Sequence, residues 1–355
     1  MHSRRQTRAI RLRNVQIGGG APVSVQSMSK CPTTDIERVL EQTRAMASAG
    51  CDIVRVAVPD EAAARAVKTI VKESPIPVVA DIHFDYRLAL EVIAAGVDAV
   101  RINPGNMKRE SHLRAVADAA RVPGIPLRIG INSGSLERSL LKKYGGATAD
   151  AMAESALLCA RKFERWGFTN IKLSLKSHDV RETVAAYRAV AAACDYPLHL
   201  GITATGSGLE ATLKSAIGIG SLLLDGIGDT IRVSLSSSPL DEVEVGVAIL
   251  KLLGLRPHGV EFVACPTCGR CKVDLLNYLA TVREQLSGLD ANITVAVMGC
   301  VVNGPGEARQ ADIGIAFSDE AGASLFRNGR RYASGPARTM VERLVSDACR
   351  LGRKA

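Results

Sequence analysis

Aromatic residues are scarce in this chain of 355 residues: they make up 4% of it, with a single Trp. A single-stranded nucleic-acid binder stacks bases on aromatic faces, so that class is disfavoured, and no RNA-binding signature appears. Long apolar runs are also missing, and no segment reaches the length needed to span a membrane. The stretch from Met1 to Arg13 is basic, but no apolar core follows it, so no secretory signal is expected. The nine Cys residues lack the spacing of a disulfide-stapled small domain. A reducing cytoplasm is the expected compartment, with Cys31, Cys51, Cys159, Cys194 and Cys349 as plain thiols. What the chain does have is a formal net charge of +9, which suits an acidic substrate or partner. Its length allows one large domain and a smaller one.

Four Cys residues remain. Cys265-Pro-Thr-Cys268 is followed further on by Cys300, and Glu307 lies seven residues beyond Cys300 across a Gly-Pro-Gly turn that could fold it back. Thiolates are soft donors that suit iron–sulfur clusters or zinc. Three Cys can hold three irons of a 4Fe–4S cluster, leaving the fourth to a weaker ligand such as Glu307, as a Lewis-acid site for a substrate oxygen needs. A structural zinc knuckle or a redox pair is the plainer reading of Cys265 and Cys268. Cys271 extends the run to C-x-x-C-x-x-C, which could feed a ferredoxin-like cluster, but Val301 stands where the usual Cys-Pro ending needs Pro. Zinc held by four Cys normally uses two C-x-x-C knuckles, and Cys300 has no such mate.

From residue 24 to 236, apolar β-type runs alternate with Ala/Leu-rich helical stretches. The runs are Ser24–Met28, Asp52–Val58, Pro77–His83, Ala99–Gly105, Pro126–Asn132, Asn170–Lys176, Leu198–Ala204 and Asp229–Ser236. Eight β/α repeats predict a TIM (β/α)8 barrel, with a doubly wound sheet as the other candidate. The strand ends are polar: Gln26, Arg55, Asp81, His83, Arg101, Asn103, Arg128, Asn132, Lys176, Arg232 and Ser234. In a barrel those ends form the active-site face, so five cations would converge on one mouth. Burying them together is costly unless anions meet them, and Arg suits phosphate oxygens bidentately. The substrate expected is one with more than one phosphate-type charge. Gly206-Ser207-Gly208 either adds backbone N–H donors or is a plain turn. After Ser236 the pattern changes to a small α+β domain, giving 1–255 as the substrate-binding barrel and 256–355 as the cluster domain. The tail from Arg327 is expected to end in a surface helix.

These stretches together resemble the bacterial IspG (GcpE) family, the 4-hydroxy-3-methylbut-2-enyl diphosphate synthases of the non-mevalonate (MEP) isoprenoid pathway. The matching segments are VSVQSM (Val23–Met28), DIVRVAV (Asp52–Val58), ADIHFDYR (Ala80–Arg87), RINPGN (Arg101–Asn106), RIGINSGSL (Arg128–Leu136), KSAIGIG (Lys214–Gly220), DGIGDTIRVS (Asp225–Ser234), ACPTCG (Ala264–Gly269) and MGCVVNGPGE (Met298–Glu307). The resemblance implies reductive ring opening and dehydration of 2-C-methyl-D-erythritol 2,4-cyclodiphosphate by two single-electron transfers through a 4Fe–4S cluster. It implies Cys265, Cys268, Cys300 and Glu307 as the cluster ligands, with Cys271 left out. Arg55, Arg101, Asn103, Arg128, Asn132, Lys176, Arg232 and Ser234 match substrate contacts. His83 and Asp81 are candidate proton donors or organisers, or a hydrogen-bond pair that only shapes the pocket. A homodimer is implied, with the cluster domain of one chain capping the barrel of the other, and ferredoxin, flavodoxin or a reductase as electron donor.

One departure stands out. Many members carry Glu at the end of the seventh strand, where this chain has Gly201-Ile202-Thr203-Ala204, and Glu210 is the nearest carboxylate in sequence. Lys30 and Cys31 replace the small polar residues common after the first strand, and read as lid variation. Two other classes compete with the synthase reading: a pterin-dependent methyl-transfer barrel with a structural metal knuckle, and a non-catalytic electron carrier.

Overall fold

The structure, a computed structural model, describes residues 3–107, 109–257, 259–289, 291–318 and 321–352. Contacts divide the chain into two compact units that meet in sequence between residues 256 and 257. The first begins with an antiparallel hairpin, β1 (Ile10–Leu12) and β2 (Val15–Ile17). Eight parallel strands follow: β3 (Ser24–Met28), β4 (Ile53–Ala57), β5 (Val78–Ile82), β6 (Ala99–Ile102), β7 (Leu127–Asn132), β8 (Ile171–Lys176), β9 (His199–Leu200) and β10 (Thr230–Ile231). Their order in the sheet is β8-β7-β6-β5-β4-β3-β10-β9. A parallel bridge between Leu173 and Leu198 joins β8 to β9 and closes the ring. The fold is therefore the TIM-type barrel that the β/α alternation predicts.

A helix follows each barrel strand and lays its apolar stripe on the outside of the sheet. In Ile36–Ser48 the buried residues Val39, Leu40, Thr43 and Met46 recur at the three-to-four-residue spacing of one helix face. Asp35, Asp60, Asp85 and Asp179 each cap a helix start by accepting a backbone N–H. The sequence reading put strand ends too far along. Regular pairing stops short of His83, Asn103, Thr203 and Ser234, so these lie in the loops that follow. The hairpin was not read from the sequence at all. Its Ile10, Leu12 and Ile17 pack with Ile53, Val79 and Ala99, the first inward residues of three strands, and plug the N-terminal end of the barrel.

The second unit is a five-stranded sheet in the order β11 (Val260–Ala264), β12 (Ile293–Met298), β13 (Ile313–Phe317), β14 (Gly322–Arg327) and β15 (Arg330–Pro336). The first three run parallel and the last two are added antiparallel. Helices Leu275–Leu286 and Ala337–Gly352 cover one face. The second of these was expected on the surface, but it buries Met340, Val341, Leu344 and Ala348 in the core. Its charged residues occupy only the outer face, which the composition of the tail concealed. The short helix Gly304–Gln310 lies on the opposite face. Among the described residues no helix is long and apolar enough to cross a membrane.

Leu12 is fully buried in the plug. Leu12→Ala should cost about 2–5 kcal/mol of stability, the range for a large-to-small change in a packed core. Urea unfolding of the variant against the parent chain checks this.

Candidate functional site

Period-two alternation along the barrel strands places every second side chain inside. The register links Asp81 to Arg101, Arg101 to Arg128, and Arg128 to Lys172, while Asn132 stands beside Lys176. At the C-terminal end, Arg55, Asp81, His83, Arg101, Arg128, Asn132, Ser174, Lys176, Thr203, Arg232 and Ser234 line a cavity of about 130 Å³. Asn103 does not line it. Its amide is used within the loops, donating to Ser135 Oγ at 3.0 Å and accepting from Gly105 N–H at 3.0 Å. Ser174 and Thr203 escaped the sequence reading, although Ser174 shares the inward phase of Lys172 and Lys176.

Asp81 is the one carboxylate among the described residues lining this cavity. Its Oδ1 accepts from Arg101 Nη1 at 3.0 Å, and its Oδ2 stands 3.7 Å from Arg55 Nε and 3.4 Å from His83 Nε2. Burial alone would raise its pKa. Arg55 above all, with His83 and Arg101, outweighs that and holds the carboxyl well below the usual range. Asp81 is therefore ionised at any working pH. His83 is half-exposed at the rim, 2.8 Å from Arg101 Nη1 and 3.2 Å from the Asn106 amide.

The cations outnumber their counter-charges. Arg232 has its own partner, Glu242 from the helix Pro239–Leu252, at 3.2 Å. Glu242 is 2% exposed and also accepts from Ser27 Oγ and the Leu235 N–H. Sequence reasoning missed it because an acid in the first turn of a helix reads as a solvated dipole partner. Burial and Arg55 still bring the Arg232 pKa down to about 10. Burial pushes Arg101 down, and pushes Arg128 and Lys176 well down, with neighbouring cations adding to the effect. Two glycines make room for this crowd. A Cβ at Gly130 would fall 2.6 Å from Arg101 Nε, and one at Gly201 would fall 2.7 Å from Lys176 Nζ. Basic side chains therefore exceed the carboxylates at this cavity.

Other sequence candidates fall elsewhere. Glu210 is an exposed partner of Lys214 at 2.7 Å and does not line the cavity, and Ala204 occupies a left-handed conformation with φ of 52°. The carbonyl of Gly206 accepts from the Ser236 N–H, so that stretch ties two loops together. Lys30 donates to the Leu235 and Ser237 carbonyls and pairs with Glu242, which gives it a structural tie beside the Arg232 pair. Burial pushes the Cys51 and Cys159 thiols up to about 12, so both are inert.

The thiols of the second unit are assembled by the sheet itself. Because β11 and β12 are parallel neighbours, with Ala264 beside Val297, both end at the same edge. The turn after β11 carries Cys265 and Cys268, and the turn after β12 carries Cys300. Gly304 and Gly314 let the helix Gly304–Gln310 approach the sheet closely, since a Cβ on either would come within 2.9 Å of a sheet Cβ, and this brings Glu307 in from the other side. Cys265, Cys268, Cys300 and Glu307 line one cavity of about 370 Å³, with Arg270 and Asn303.

Three thiols and a carboxylate form a donor set of the kind that binds iron or zinc. Among the described residues no three His, Cys, Asp or Glu side chains converge tightly enough to hold one metal ion, so the donors surround a space rather than a point. Gly299 N–H donates to Cys265 Sγ at 3.4 Å, and a Cβ at Gly299 would fall 2.5 Å from Cys271 Sγ. Backbone N–H groups of Val302 and Asn303, with Arg270, hold the Cys300 thiol below its ordinary pKa and favour the thiolate. Cys271 does not line this cavity, and its thiol donates to the Val273 carbonyl at 3.4 Å.

Comparison with known sequences agrees with this geometry. The family description "GcpE TIM-barrel domain" matches residues 7–247, and "GcpE protein C-terminal domain" matches residues 261–349. The chain belongs to the GcpE family. A relative from Geobacter sulfurreducens is 54% identical over 96% of this chain and 97% of its own length. One from Aquifex aeolicus is 50% identical over 98% and 97%. Both are named 4-hydroxy-3-methylbut-2-en-1-yl diphosphate synthase (flavodoxin). Among solved structures, an N-acetylneuraminic acid synthetase from Leptospira borgpetersenii superposes with a TM-score of 0.51 over 81% of this chain and all of its own. At 13% identity that likeness concerns the barrel fold alone.

Gly130→Ala should displace Arg101 and weaken binding of a doubly charged anion by tenfold or more, roughly the loss of one charge-assisted hydrogen bond. Calorimetric titration of the variant with a diphosphate ligand reads this directly.

Proposed function

We propose that this chain is an oxidoreductase that converts 2-C-methyl-D-erythritol 2,4-cyclodiphosphate to (E)-4-hydroxy-3-methylbut-2-enyl diphosphate in isoprenoid synthesis. The observation that carries the reading is the buried ring of Arg55, Arg101, Arg128, Lys176 and Arg232 around a single carboxylate, in a chain that shares half its residues with synthases of that name. The two phosphate groups of the cyclic substrate meet the ring, and Asn132, Ser174, Thr203 and Ser234 are placed to bond its uncharged oxygens. Asp81 fixes Arg55 and Arg101 in place. Being ionised, it does not serve as the acid. His83, half-exposed at the open rim, is the candidate proton donor. A pterin-dependent methyl transferase has no use for five buried cations, and an electron carrier has no use for the barrel.

Cys265, Cys268, Cys300 and Glu307 would hold a 4Fe–4S cluster, with Glu307 as the hard, exchangeable donor. Such a cluster would supply, one at a time, the two electrons that reductive cleavage of a C–O bond consumes. Flavodoxin is the donor named in the relatives and is proposed here, and the charge of +9 suits an acidic partner. We place the enzyme in the cytoplasm and as a homodimer, with one chain's cluster domain serving its partner's barrel.

Anaerobic turnover of the cyclic diphosphate with a one-electron reductant, on protein whose iron and sulfide have been counted, tests the reading. The expected result is product from protein carrying four irons per chain. An intact cluster without product would overturn it. Arg128→Ala should lower kcat/KM by a factor of 10² or more. Cys300→Ser should lose iron while the barrel still binds the cyclic diphosphate.

A further inference from the structure

Beneath the cavity the barrel interior stays polar. Lys172 and His199 are 1% and 0% exposed, and Gln26 is 2% exposed. Among the described residues no hydrogen-bond partner lies within reach of Lys172 Nζ, either ring nitrogen of His199, either amide atom of Gln26, or Nε and Nη2 of Arg128. Lys172 sits beside Arg128 in the sheet register, and His199 stands on the neighbouring strand β9. None of these residues except Arg128 lines the mouth, so the substrate reading leaves them without work. Buried polar groups are normally satisfied, and a buried cation normally meets an anion. Here the described residues of the protein supply no such partner.

We propose that Lys172, with His199 beside it, is a protonation site on the barrel floor that takes a proton from solvent when a dianion fills the mouth. This rests on the diphosphate reading of the mouth. The groups facing the pair favour the neutral state. Arg128 on β7, Lys176 on β8 with Lys172, and Arg55 on β4 are basic neighbours. The one nearby acid, Asp229 at the foot of β10, is already taken by the Leu198 N–H, Thr7 and Arg4. Tyr187, from the helix Val180–Ala193, spends its hydroxyl on the His199 carbonyl and stays un-ionised. Burial, then Arg128, brings Lys172 down to about 7, and the same causes push His199 well below its ordinary value. A dianion on Arg128 and Arg55 offsets the part of that shift that comes from neighbouring cations, so protonation and ligand binding support each other.

The sign of the pH dependence follows. Above about 7 the free floor lacks the proton that the complex carries. Each proton taken up therefore weakens binding by about tenfold per pH unit, until the complex itself loses it. Both the cyclic diphosphate and inorganic sulfate keep a constant charge of two between pH 6 and 9, so the change belongs to the protein. The measurement is calorimetric titration at pH 8 in two buffers of different ionisation heat, on the full chain and on Lys172→Met, with circular dichroism confirming that the variant folds. Lys176 at the mouth can also change charge, so the difference between the two proteins is the readout. We expect proton uptake in the parent chain, and a smaller uptake with a shallower pH slope in K172M. Equal uptake in the two proteins, or none in the parent, overturns the proposal. Sulfate keeps this test separate from the function. If sulfate binds with Lys172-dependent uptake while the cyclic diphosphate does not bind, the substrate reading fails and the floor site stands.

Discussion

Repulsion among buried cations governs this molecule. Five basic side chains share a small polar space with one carboxylate, Asp81, and a second, Glu242, is committed to Arg232. Such a cluster disfavours the folded state unless a ligand relieves it. The hydrophobic layers outside the strands must hold the ring closed against that repulsion, and the helices that follow the strands supply them. Gly130 and Gly201 are part of the same constraint, because any side chain there would push the cations out of line. Binding energy is thus stored as unmet charge, placed where a diphosphate would arrive.

The second unit meets a related problem by different means. Thiols and a carboxylate must face one another across an open space without collapsing into it. Parallel pairing of β11 and β12 sets two turns side by side, and the glycine contacts under Gly304–Gln310 fix the third direction. None of this needs the ligands to touch one another. The sheet carries them to the rim, and the backbone N–H groups near Cys300 and Cys265 stand ready to balance negative sulfur.

Much of the site was legible because strands alternate with period two and a barrel turns that alternation into an inside and an outside. Arg55, Arg101, Arg128, Lys176 and Arg232 announce themselves as charges within apolar runs, where a surface explanation fails. The C-x-x-C turn and the Gly-Pro-Gly segment carry their own chemistry in their spacing. Asn103 looked the same as Asn132 in sequence, yet its amide is spent on Ser135 and Gly105, a difference set by loops that the pattern does not describe. Glu242 was hidden because helical acids are common on surfaces, and its burial depends on how Pro239–Leu252 docks. The hairpin strands are only three residues each, β15 is polar and largely exposed, and the tail's charges masked the apolar stripe of its helix.

The plug formed by Ile10, Leu12 and Ile17 has a directional consequence. Sealed at its base, the barrel is a blind vessel with one doorway. Whatever enters must leave by the same route. A released water and the lengthened product would queue at the rim that the next substrate needs. Traffic through that doorway, rather than passage through the barrel, then sets the order of events.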